Sequence, residues 1–528
     1  MPALAPYIDS IEDFSITAVL LWAAVSAASS YFFASTVYYA FFHPLAKVPG
    51  PRLYSFTQLP FLYHTVRGDW DQKLKELHDQ YGPAVRISHK DVSFNTANAL
   101  KKIFGHKSAP ERTFAKEPNW YKNDHDSSSI ITADNDNHRR FRRLLSHAFS
   151  EKALRAQESV LDQYIDKFIL KLTQISQNDA VLDIVSWYNF TTFDVIGDFA
   201  FGEPFGCLDT GTYHPWIPFI FESIKFVPLR MSAERLGLGL FLPFLMPTRL
   251  KRSREENFQL SQATALKRAE SQNTEREDFM SYILRHNDER GMTPAEIAEN
   301  AAIIVPAGSG TTATLLSGTT HLLLTNHSKY EKLVAEIRST FAREEDITLT
   351  RVNKLPYLIA VLNEGFRMYP PVPAPLPRVA PVGGEEVEGF WIPEKTVVVV
   401  SHWATFRSEK NFRDADKYVP ERWLDDPRYA GDSKDALQPF SYGPRNCIGR
   451  KSVPKILRPM QSSRANIRYD SLAYAEMRFV LARLIWNFDL ELVPGGENWF
   501  SQRSFLIWEK GGYLVKLTRV DRKQHKEV

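Results

Sequence analysis

Cys447 offers the clearest chemistry in this sequence, and it is one of only two cysteines in 528 residues. It stands in the segment Phe-Ser-Tyr-Gly-Pro-Arg-Asn-Cys-Ile-Gly, residues 440–449. Gly443 and Gly449 allow tight turns that bring backbone N–H groups towards the sulfur, and Arg445 adds positive charge that favours the thiolate. A thiolate held in such a loop is the ligand that a haem iron needs when electron density must be pushed towards bound oxygen. An isolated cysteine is usually a small buried apolar residue, so this assignment depends on the motifs that accompany it.

A predicted long helix in the middle of the chain is the second unusual stretch. Thr293-Pro-Ala-Glu296 is a capping box with proline at the first helical position, and apolar residues continue to about Leu324. The interior contains Pro306 and, within residues 307–312, two glycines and two threonines. Proline costs about 3 kcal/mol and each glycine about 1 kcal/mol in a helix interior. We therefore predict a local opening of the helical hydrogen bonds, which lets a ligand lie against the helix beside a hydroxyl group.

The Cys447 segment, read as Phe-x-x-Gly-x-Arg-x-Cys-x-Gly, resembles the haem-binding loop of the cytochrome P-450 family. Four further motifs occur in the family's order, and together they cover most of the chain from about Pro44 to its end. The resemblance implies a mainly α cytochrome P-450 fold with small β subdomains, and haem b as the cofactor. The cysteine is then the axial ligand of the iron, and the arginine is a partner of a haem propionate. The loop positions carried over as cofactor-binding are Phe440, Arg445, Cys447 and Gly449.

A basic run, residues 138–143, precedes two leucines and has the spacing of one helix face. Alone it is typical of a solvated basic surface. The family has Trp-x-x-x-Arg at this point, with both residues on a haem propionate. The resemblance therefore implies Arg142 as a cofactor contact, with His138 in the place of the tryptophan. It implies the same role for Arg378, which follows a proline-rich segment at 371–377.

Residues 307–312, Ala-Gly-Ser-Gly-Thr-Thr, resemble the family's oxygen-binding motif. The resemblance implies that the Thr311 hydroxyl steers protons to the bound oxygen. The family usually has Asp or Glu before this threonine, and in this chain Gly310 takes its place. Proton delivery then depends on water, on Thr312 or on the substrate. A reaction that does not transfer oxygen to the substrate is also easier to reconcile with this site than with the usual family motif.

Glu364 and Arg367 are spaced to share one helix face, and an exposed pair of this kind contributes only a few tenths of a kcal/mol. The following Tyr-Pro-Pro and the later Pro-Glu-Arg-Trp at 420–423 resemble two further family motifs. They imply that Glu364, Arg367 and Arg422 interlock behind the haem in a structural role.

The twenty residues 452–471 interrupt the family pattern, which resumes at the predicted helix from Leu472. They contain two prolines, which break any helix begun at Cys447, and the dipole of such a helix helps to hold a thiolate. Two explanations remain: a real surface loop, or an unspliced intron carried into the gene model. We favour the intron, because the pattern resumes cleanly on both sides.

No charged residue occurs between Phe14 and Phe42, a length that suffices to cross a bilayer as a helix. The acidic residues before it disfavour a cleaved signal peptide, and a buried helix is the other alternative. Lys47 and Arg52 follow the segment, which predicts a cytosolic position for the rest of the chain. The predicted organisation is a membrane anchor (1–42), a proline-rich hinge (43–60) and a catalytic domain (61–528). A second apolar segment, 236–246, is too short to span a membrane; it is either ordinary core or the family's membrane-dipping roof of the substrate channel.

The net charge of +3 gives no reason to expect a nucleic-acid partner. The resemblance implies a monooxygenase that uses O₂ and oxidises a lipophilic substrate, such as a terpenoid or polyketide of fungal secondary metabolism. It implies electrons from NADPH through NADPH-cytochrome P-450 reductase, and a single-pass protein of the endoplasmic reticulum. The alternatives are a haem-thiolate isomerase or dehydratase that needs no external electrons, and a haem-free membrane protein inactivated by residues 452–471.

Overall fold

The computed structural model describes residues 16–122, 127–150, 153, 157–178, 180–245, 247–270, 278–289, 291–450 and 472–521. Within these ranges the chain is mainly helical with three small β-sheets, as predicted. The segment 452–471 and the residues before Ile16 lie outside the described residues.

The α-helices of these ranges follow one another along the chain. They are α1 (Ile16–Val37), α2 (Arg52–Phe56), α3 (Leu59–Arg67), α4 (Trp70–Tyr81), α5 (Ala97–Phe104), α6 (Asn135–Ala148), α7 (Glu158–Ser176), α8 (Ile184–Phe201), α9 (Cys207–Thr210), α10 (Trp216–Arg235), α11 (Leu242–Leu245), α12 (Thr248–Glu270), α13 (Phe279–Arg285), α14 (Pro294–Leu324), α15 (His327–Thr340), α16 (Leu349–Val352), α17 (Pro356–Met368), α18 (His402–Phe406) and α19 (Leu472–Asn487).

Short strands in the same part of the chain form the sheets. They are β1 (Ala84–Arg86), β2 (Asp91–Phe94), β3 (Ala115–Lys116), β4 (Val181–Asp183), β5 (Arg378–Val379), β6 (Glu385–Val387), β7 (Phe390–Ile392), β8 (Val397–Val400), β9 (Phe488–Leu492) and β10 (Leu514–Arg519). The largest sheet has the order β1-β2-β8-β5-β3, and the others are β4-β10-β9 and β6-β7. Of these strands, only β2 and β8 pair in parallel, with Val92 opposite Val398. This pairing brings residues from the first fifth of the chain beside residues from its last third.

The central helix α14 is the axis of the main core. Its capping box at Thr293 and its end at Leu324 confirm the predicted start and end. It packs against α8, in which almost every side chain is buried, and against α17 and α19, which carry residues of the site. The site is therefore built on buried, rigid helices.

The N-terminal helix α1 and the π-helical turn that follows it are exposed and apolar. Among the residues described, Ala18–Phe42 is the one helical segment long and apolar enough to cross a membrane, with a mean hydropathy of 1.5. The alternative of a buried helix is therefore wrong for this segment. The hinge after it is anchored on the catalytic domain, because Leu45 and Val48 are buried in a core cluster with strands β2 and β8.

The apolar segment between α10 and α12 is not ordinary core. Leu240 and Phe244 are each 86% exposed, and Phe241 is more than half exposed. Together with Leu236 and Leu238 they form an exposed apolar patch, and patches of this kind mark contacts with membranes or partners.

Candidate active site

The loop that contains Cys447 is closed by one backbone hydrogen bond. The Cys447 N–H donates to the carbonyl oxygen of Phe440 at 2.9 Å. The Phe440 ring packs against Phe366 of α17 and Tyr474 of α19, at centroid distances of 5.2 and 5.3 Å. Both ends of the loop are thereby attached to the main core, while the Cys447 side chain stays exposed and its sulfur is open to a ligand.

Gly443 is the loop position that only glycine can occupy. Its φ is +76°, and a Cβ there would lie 1.8 Å from the carbonyl oxygen of Phe104 at the end of α5. Ser441, two residues earlier, also has a positive φ of 61°, which stores strain at the site. Gly449 has no such backbone requirement, and a Cβ there would meet only the sulfur of Cys447, at 3.6 Å. Of the two glycines predicted to make tight turns, Gly443 alone needs glycine for its backbone.

Although the sulfur is open on one side, the protein atoms around it exclude much of the water, and this desolvation raises the pKa of the Cys447 thiol above its usual range. The backbone N–H groups of Gly449 and Arg450, and the charges of Arg142 and Arg450, oppose this rise. The charge predicted from Arg445 is supplied instead by Arg142, because the 3₁₀ turn at 443–445 directs Arg445 towards the start of α6. Protein groups thus ease ionisation without completing it, and metal coordination is what deprotonates such a thiol outright.

A cluster of positive side chains lies beside the loop, and we call it the cationic cluster. Burial, and next the charge of Arg378, lower the pKa of Arg445 to about 10. Burial and the neighbouring arginines lower the pKa of Lys116 to about 6. They also lower the pKa of the buried His138 to about 3. The members of the cluster are the basic residues Lys116, Arg142, Arg378 and Arg445, with the neutral imidazole of His138 beside them.

Arg142 joins the cationic cluster to the thiol. Its guanidinium donates to the backbone oxygen of Asn446 and, at 2.7 Å, to the Asn446 side-chain oxygen. Arg142 and Cys447 also lie close enough that each shifts the pKa of the other. Lys116 and Asn446 were missed from the sequence, because Lys116 comes from a two-residue strand with no motif and Asn446 is an unmarked position of the loop motif.

These residues fit haem b. Among the residues that the structure describes, no group of three or more His, Cys, Asp and Glu is arranged to hold a bare metal ion. An iron bound to the single sulfur of Cys447 would therefore take its remaining ligands from a prosthetic group. In their charged forms these four basic groups repel one another, which adds to burial in lowering the pKa values of Lys116 and Arg445. Anionic groups among them would remove this repulsion, and the two propionates of haem are such groups.

The central helix is continuous, and the predicted opening of its hydrogen bonds is wrong. Helix α14 runs through Pro306 without a break. Two hydroxyl groups that follow the proline bond back to carbonyl oxygens four residues earlier in the same helix. Thr311 donates to Ala307 at 2.7 Å and Thr312 donates to Gly308 at 3.0 Å. Ala307 is nevertheless exposed and Thr311 half-buried in the middle of this buried helix. One face of the helix is thus open to a ligand without any distortion.

Gly310 is buried and faces α10. A Cβ at this position would meet only the ring of Phe221, at 3.8 Å, which is ordinary contact. The described surroundings therefore leave room for a Cβ at 310, and no close contact requires glycine there.

A buried carboxyl group on α19 contacts the central helix. Glu476 shares a hydrogen bond with Thr312, and burial outweighs this bond to raise the pKa of Glu476 to about 8. The carboxyl group is therefore neutral at physiological pH. It was also missed from the sequence, where the predicted helix from Leu472 showed only its apolar pattern.

Glu364, Arg367 and Arg422 interlock as the resemblance implied, and all three are fully buried. Glu364 accepts from Arg367 at 2.8 and 3.0 Å and from Arg422 at 3.1 Å. It also accepts from the Val419 N–H and the Trp423 ring N–H, each at 2.9 Å. Burial alone would raise the pKa of Glu364, but the two guanidinium groups outweigh it and lower the pKa.

Comparison with known proteins agrees with this geometry. The family model described as cytochrome P-450 matches residues 48–451. Cytochrome P-450 monooxygenase aclL of Aspergillus oryzae is 44% identical over 488 residues, covering 92% of this chain and 95% of that protein. Cytochrome P-450 monooxygenase efuB of Hormonema carpetanum is 40% identical over 491 residues, covering 92% and 93%. Averantin hydroxylase of Dothistroma septosporum is 38% identical over 509 residues, covering 95% and 90%. With a thiol loop, a cationic cluster and relatives that match almost from end to end, this chain belongs to the cytochrome P-450 family and is a haem-thiolate monooxygenase related to those of fungal secondary metabolism.

Proposed function

We propose that the protein oxidises an unactivated C–H bond of a lipophilic small molecule, a terpenoid or a polyketide, with Cys447 as the axial ligand of haem b. The observation that carries this proposal is the link from Cys447 through Asn446 and Arg142 to the cationic cluster. It puts one sulfur ligand next to charges that match two propionates. A relative named for the hydroxylation of averantin supports hydroxylation as the type of reaction.

The residues of the chain have separate tasks in this reaction. Haem iron held by a thiolate activates O₂ and supplies the oxidising power. Arg142, Arg378 and Arg445 hold the propionates, with His138 packed beside them. The loop of Phe440–Gly449 presents the sulfur and limits its motion.

Proton transfer falls to the hydroxyl groups of α14. Thr311 lies on the open face of the helix, and its oxygen is in reach of a ligand there. Gly310 offers no acid beside it, so water on this face supplies the proton. Thr312 is buried and bonded to the neutral Glu476, which makes it a positioning residue in this scheme.

The absence of an acid at position 310 is also the observation that favours the second candidate, an isomerase or dehydratase that consumes no external electrons. NADPH consumption with reductase and substrate separates the two. Consumption coupled to product supports the monooxygenase, and product formed without NADPH supports the second candidate.

The membrane and redox partners follow from the N-terminus and the surface. The span Ala18–Phe42, followed by Lys47 and Arg52, favours a single-pass protein of the endoplasmic reticulum with a cytosolic catalytic domain. The exposed apolar patch at 236–244 is suited to rest on the same bilayer. NADPH-cytochrome P-450 reductase is then the electron donor.

Residues 452–471 are proposed to be a retained intron. The family match ends at residue 451 and helix α19 begins at Leu472, so the segment falls between two parts of the fold. A mature transcript that encodes all twenty residues would contradict this proposal.

The reduced carbon monoxide difference spectrum tests thiolate ligation and the segment together. The full chain, a chain without 452–471 and two variants of the shorter chain, Cys447→Ser and Cys207→Ser, are compared. We expect a red-shifted Soret band from the shorter chain and from Cys207→Ser, whose cysteine is buried away from the loop. Cys447→Ser should lack the band. A red-shifted band from Cys447→Ser, or no band from any folded version, would refute Cys447 as the ligand.

A further inference from the structure

A small, mostly apolar cavity lies among the start of α4, the end of α10, strand β8 and the turn at 504–508. Its volume is about 40 Å³, enough for one end of a larger molecule but not for a whole substrate. Most of its wall is apolar, contributed for example by Phe61, Met231 and Phe505. A lipophilic ligand therefore fits the wall, and its few polar groups determine specificity.

Two polar groups in this wall are buried and lack partners. Asp71 is 2% exposed, and its Oδ2 accepts a hydrogen bond from the Ser504 hydroxyl. Its Oδ1 and the Nε1–H of Trp70, which is 5% exposed, have no hydrogen-bond partner among the residues that the structure describes. A buried polar atom without a partner costs about 1–3 kcal/mol. Two of them on adjacent residues of one small cavity indicate a ligand group that bonds to both.

The other charged residues of the wall are already paired. Arg235 forms an ion pair with Asp91 at 2.5 Å and lies 4.0 Å from Glu117. Glu117 in turn accepts from the Trp120 backbone N–H at 2.6 Å. The wall thus carries more negative than positive charge, which disfavours a carboxylate or phosphate ligand. A ligand cation is disfavoured by the ring N–H of Trp70, which presents a positive edge.

The charge state of Asp71 fits a neutral ligand. Burial outweighs the Ser504 hydrogen bond and raises the pKa of Asp71 to about 7. The group is largely neutral below that pH, so it both donates and accepts without attracting ions.

The cavity lies next to the cofactor residues. Pro377 lines it, and the next residue, Arg378, belongs to the cationic cluster. Leu506, which also lines it, has a φ of +125°, a strained conformation for any residue other than glycine. The turn is closed by a β-bridge between Ser504 and Trp508 and by the Glu509 N–H, which donates to Arg503 at 2.8 Å. Strain held in this way is typical of segments that position a ligand.

We propose that Trp70 and Asp71 bind a hydroxyl group of the substrate, remote from the carbon that is oxidised. The hydroxyl oxygen accepts from the Trp70 Nε1–H, and a second hydrogen bond joins it to the Asp71 Oδ1, which accepts the hydroxyl proton when Asp71 is a carboxylate and donates its own proton when Asp71 is an acid. One group thus satisfies both unpartnered atoms. The substrate class is then a lipophilic alcohol or phenol. This inference rests on the proposed oxidation of a small lipophilic molecule.

A matched pair of probes tests the inference by isothermal titration of the holoprotein. The probes are 2-naphthol and 2-methylnaphthalene, which have the same shape but differ in the hydroxyl group. Sites built to bond a hydroxyl group discriminate strongly against analogues without it, so we expect the wild-type protein to bind 2-naphthol at least tenfold more tightly.

Three variants locate the preference. Trp70→Phe removes only the N–H group, and Asp71→Leu removes the carboxyl group; each should reduce the preference to about threefold or less. Met231→Leu changes the same wall at nearly constant volume and should keep it. If Asp71→Leu fails to fold, Trp70→Phe still decides the question, because it changes no buried charge.

Three outcomes would overturn the inference: equal binding of the two probes by wild type, no binding of either probe, or a preference that survives Trp70→Phe. The carbon monoxide spectrum of the same sample keeps this result separate from the proposed function. A red-shifted band without a naphthol preference refutes the hydroxyl site alone, whereas a preference without the band refutes thiolate ligation alone.

Discussion

Replacing Glu364 by Gln should destabilise the protein far more than the same change at Glu421. Glu364 is fully buried and accepts five hydrogen bonds, three of them from guanidinium groups. Glutamine keeps the shape but loses the charge, and its amide nitrogen must face donors whichever way it is turned. Two buried arginines are then left without their shared anion.

The expected loss in the free energy of unfolding is about 3–5 kcal/mol, the range found when one partner of a buried ion pair is removed. Domains are usually stable by only about 5–15 kcal/mol, so this is a large fraction. Glu421 lies in the neighbouring turn and pairs with Lys329 and Lys332 at 2.9 and 2.7 Å. Glu421 is 15% exposed, but Lys329 is 22% and Lys332 55% exposed, so water screens both pairs and Glu421→Gln should cost about 1–2 kcal/mol.

The assay is a urea titration followed by far-UV circular dichroism and by the fraction of protein that retains haem. Because a cofactor-binding chain of this size need not unfold in two states, the midpoints of wild type and both variants are compared directly. The midpoint of Glu364→Gln should fall well below that of Glu421→Gln, with haem lost in the same transition. Equal midpoints for the two variants would refute the argument, since the two carboxylates would then contribute alike despite their different burial.

Two further variants probe the central helix. Glu476→Gln should flatten the pH dependence of the free energy of unfolding. The pKa of Glu476 is raised from 4.5 to about 8 in the folded protein, so its protonated form contributes fully to stability below pH 4.5. This contribution is lost as pH rises towards 8, which lowers the free energy of unfolding of wild type by about 4 kcal/mol. Urea midpoints at pH 5 and pH 8 measure this, and an unchanged difference in the variant would contradict it. Gly310→Glu should raise the product formed per NADPH, because it places an acid beside Thr311 at a position where a Cβ meets only Phe221 among the described residues. Gly310→Gln is the control. An equal gain from Gly310→Gln would show that acidity is not the cause.

Local signals in the sequence predicted the elements that local interactions form. The bounds of α14 follow from a capping box and an apolar run, both contained in the helix itself. The Glu364–Arg367 pair lies within one helical turn, so the sequence alone predicts that the two side chains meet. The sequence does not predict that both are buried. Burial depends on the rest of the chain, which is why the resemblance to a family was needed to choose the structural role over an exposed pair.

Features made by distant segments could not be predicted in this way. Lys116 enters the cationic cluster because β3 pairs with β5, which carries Arg378, and no pattern around Lys116 announces that pairing. The partners Asp71 and Ser504 are separated by 433 positions. The continuity of α14 was missed for another reason: the propensities of proline and glycine were weighed for the helix alone, whereas its packing in the main core against α8, α17 and α19 overrides them.

The contacts that hold the Cys447 loop bear on the effect of residues 452–471. The Arg142 contact with Asn446, the approach of Gly443 to Phe104 and the closing hydrogen bond to Phe440 all involve residues before the segment. These three contacts do not depend on the segment, whereas the packing of Phe440 on Tyr474 of α19 joins the loop to a helix that lies beyond it in the chain. The N–H groups of Gly449 and Arg450 still support negative charge on the sulfur, but the segment takes the place of a helix that would begin directly after Cys447 and add its dipole. The full chain is thus expected to bind haem and to show a weaker red-shifted band than the chain without 452–471, and loss of haem from the full chain would contradict this reasoning.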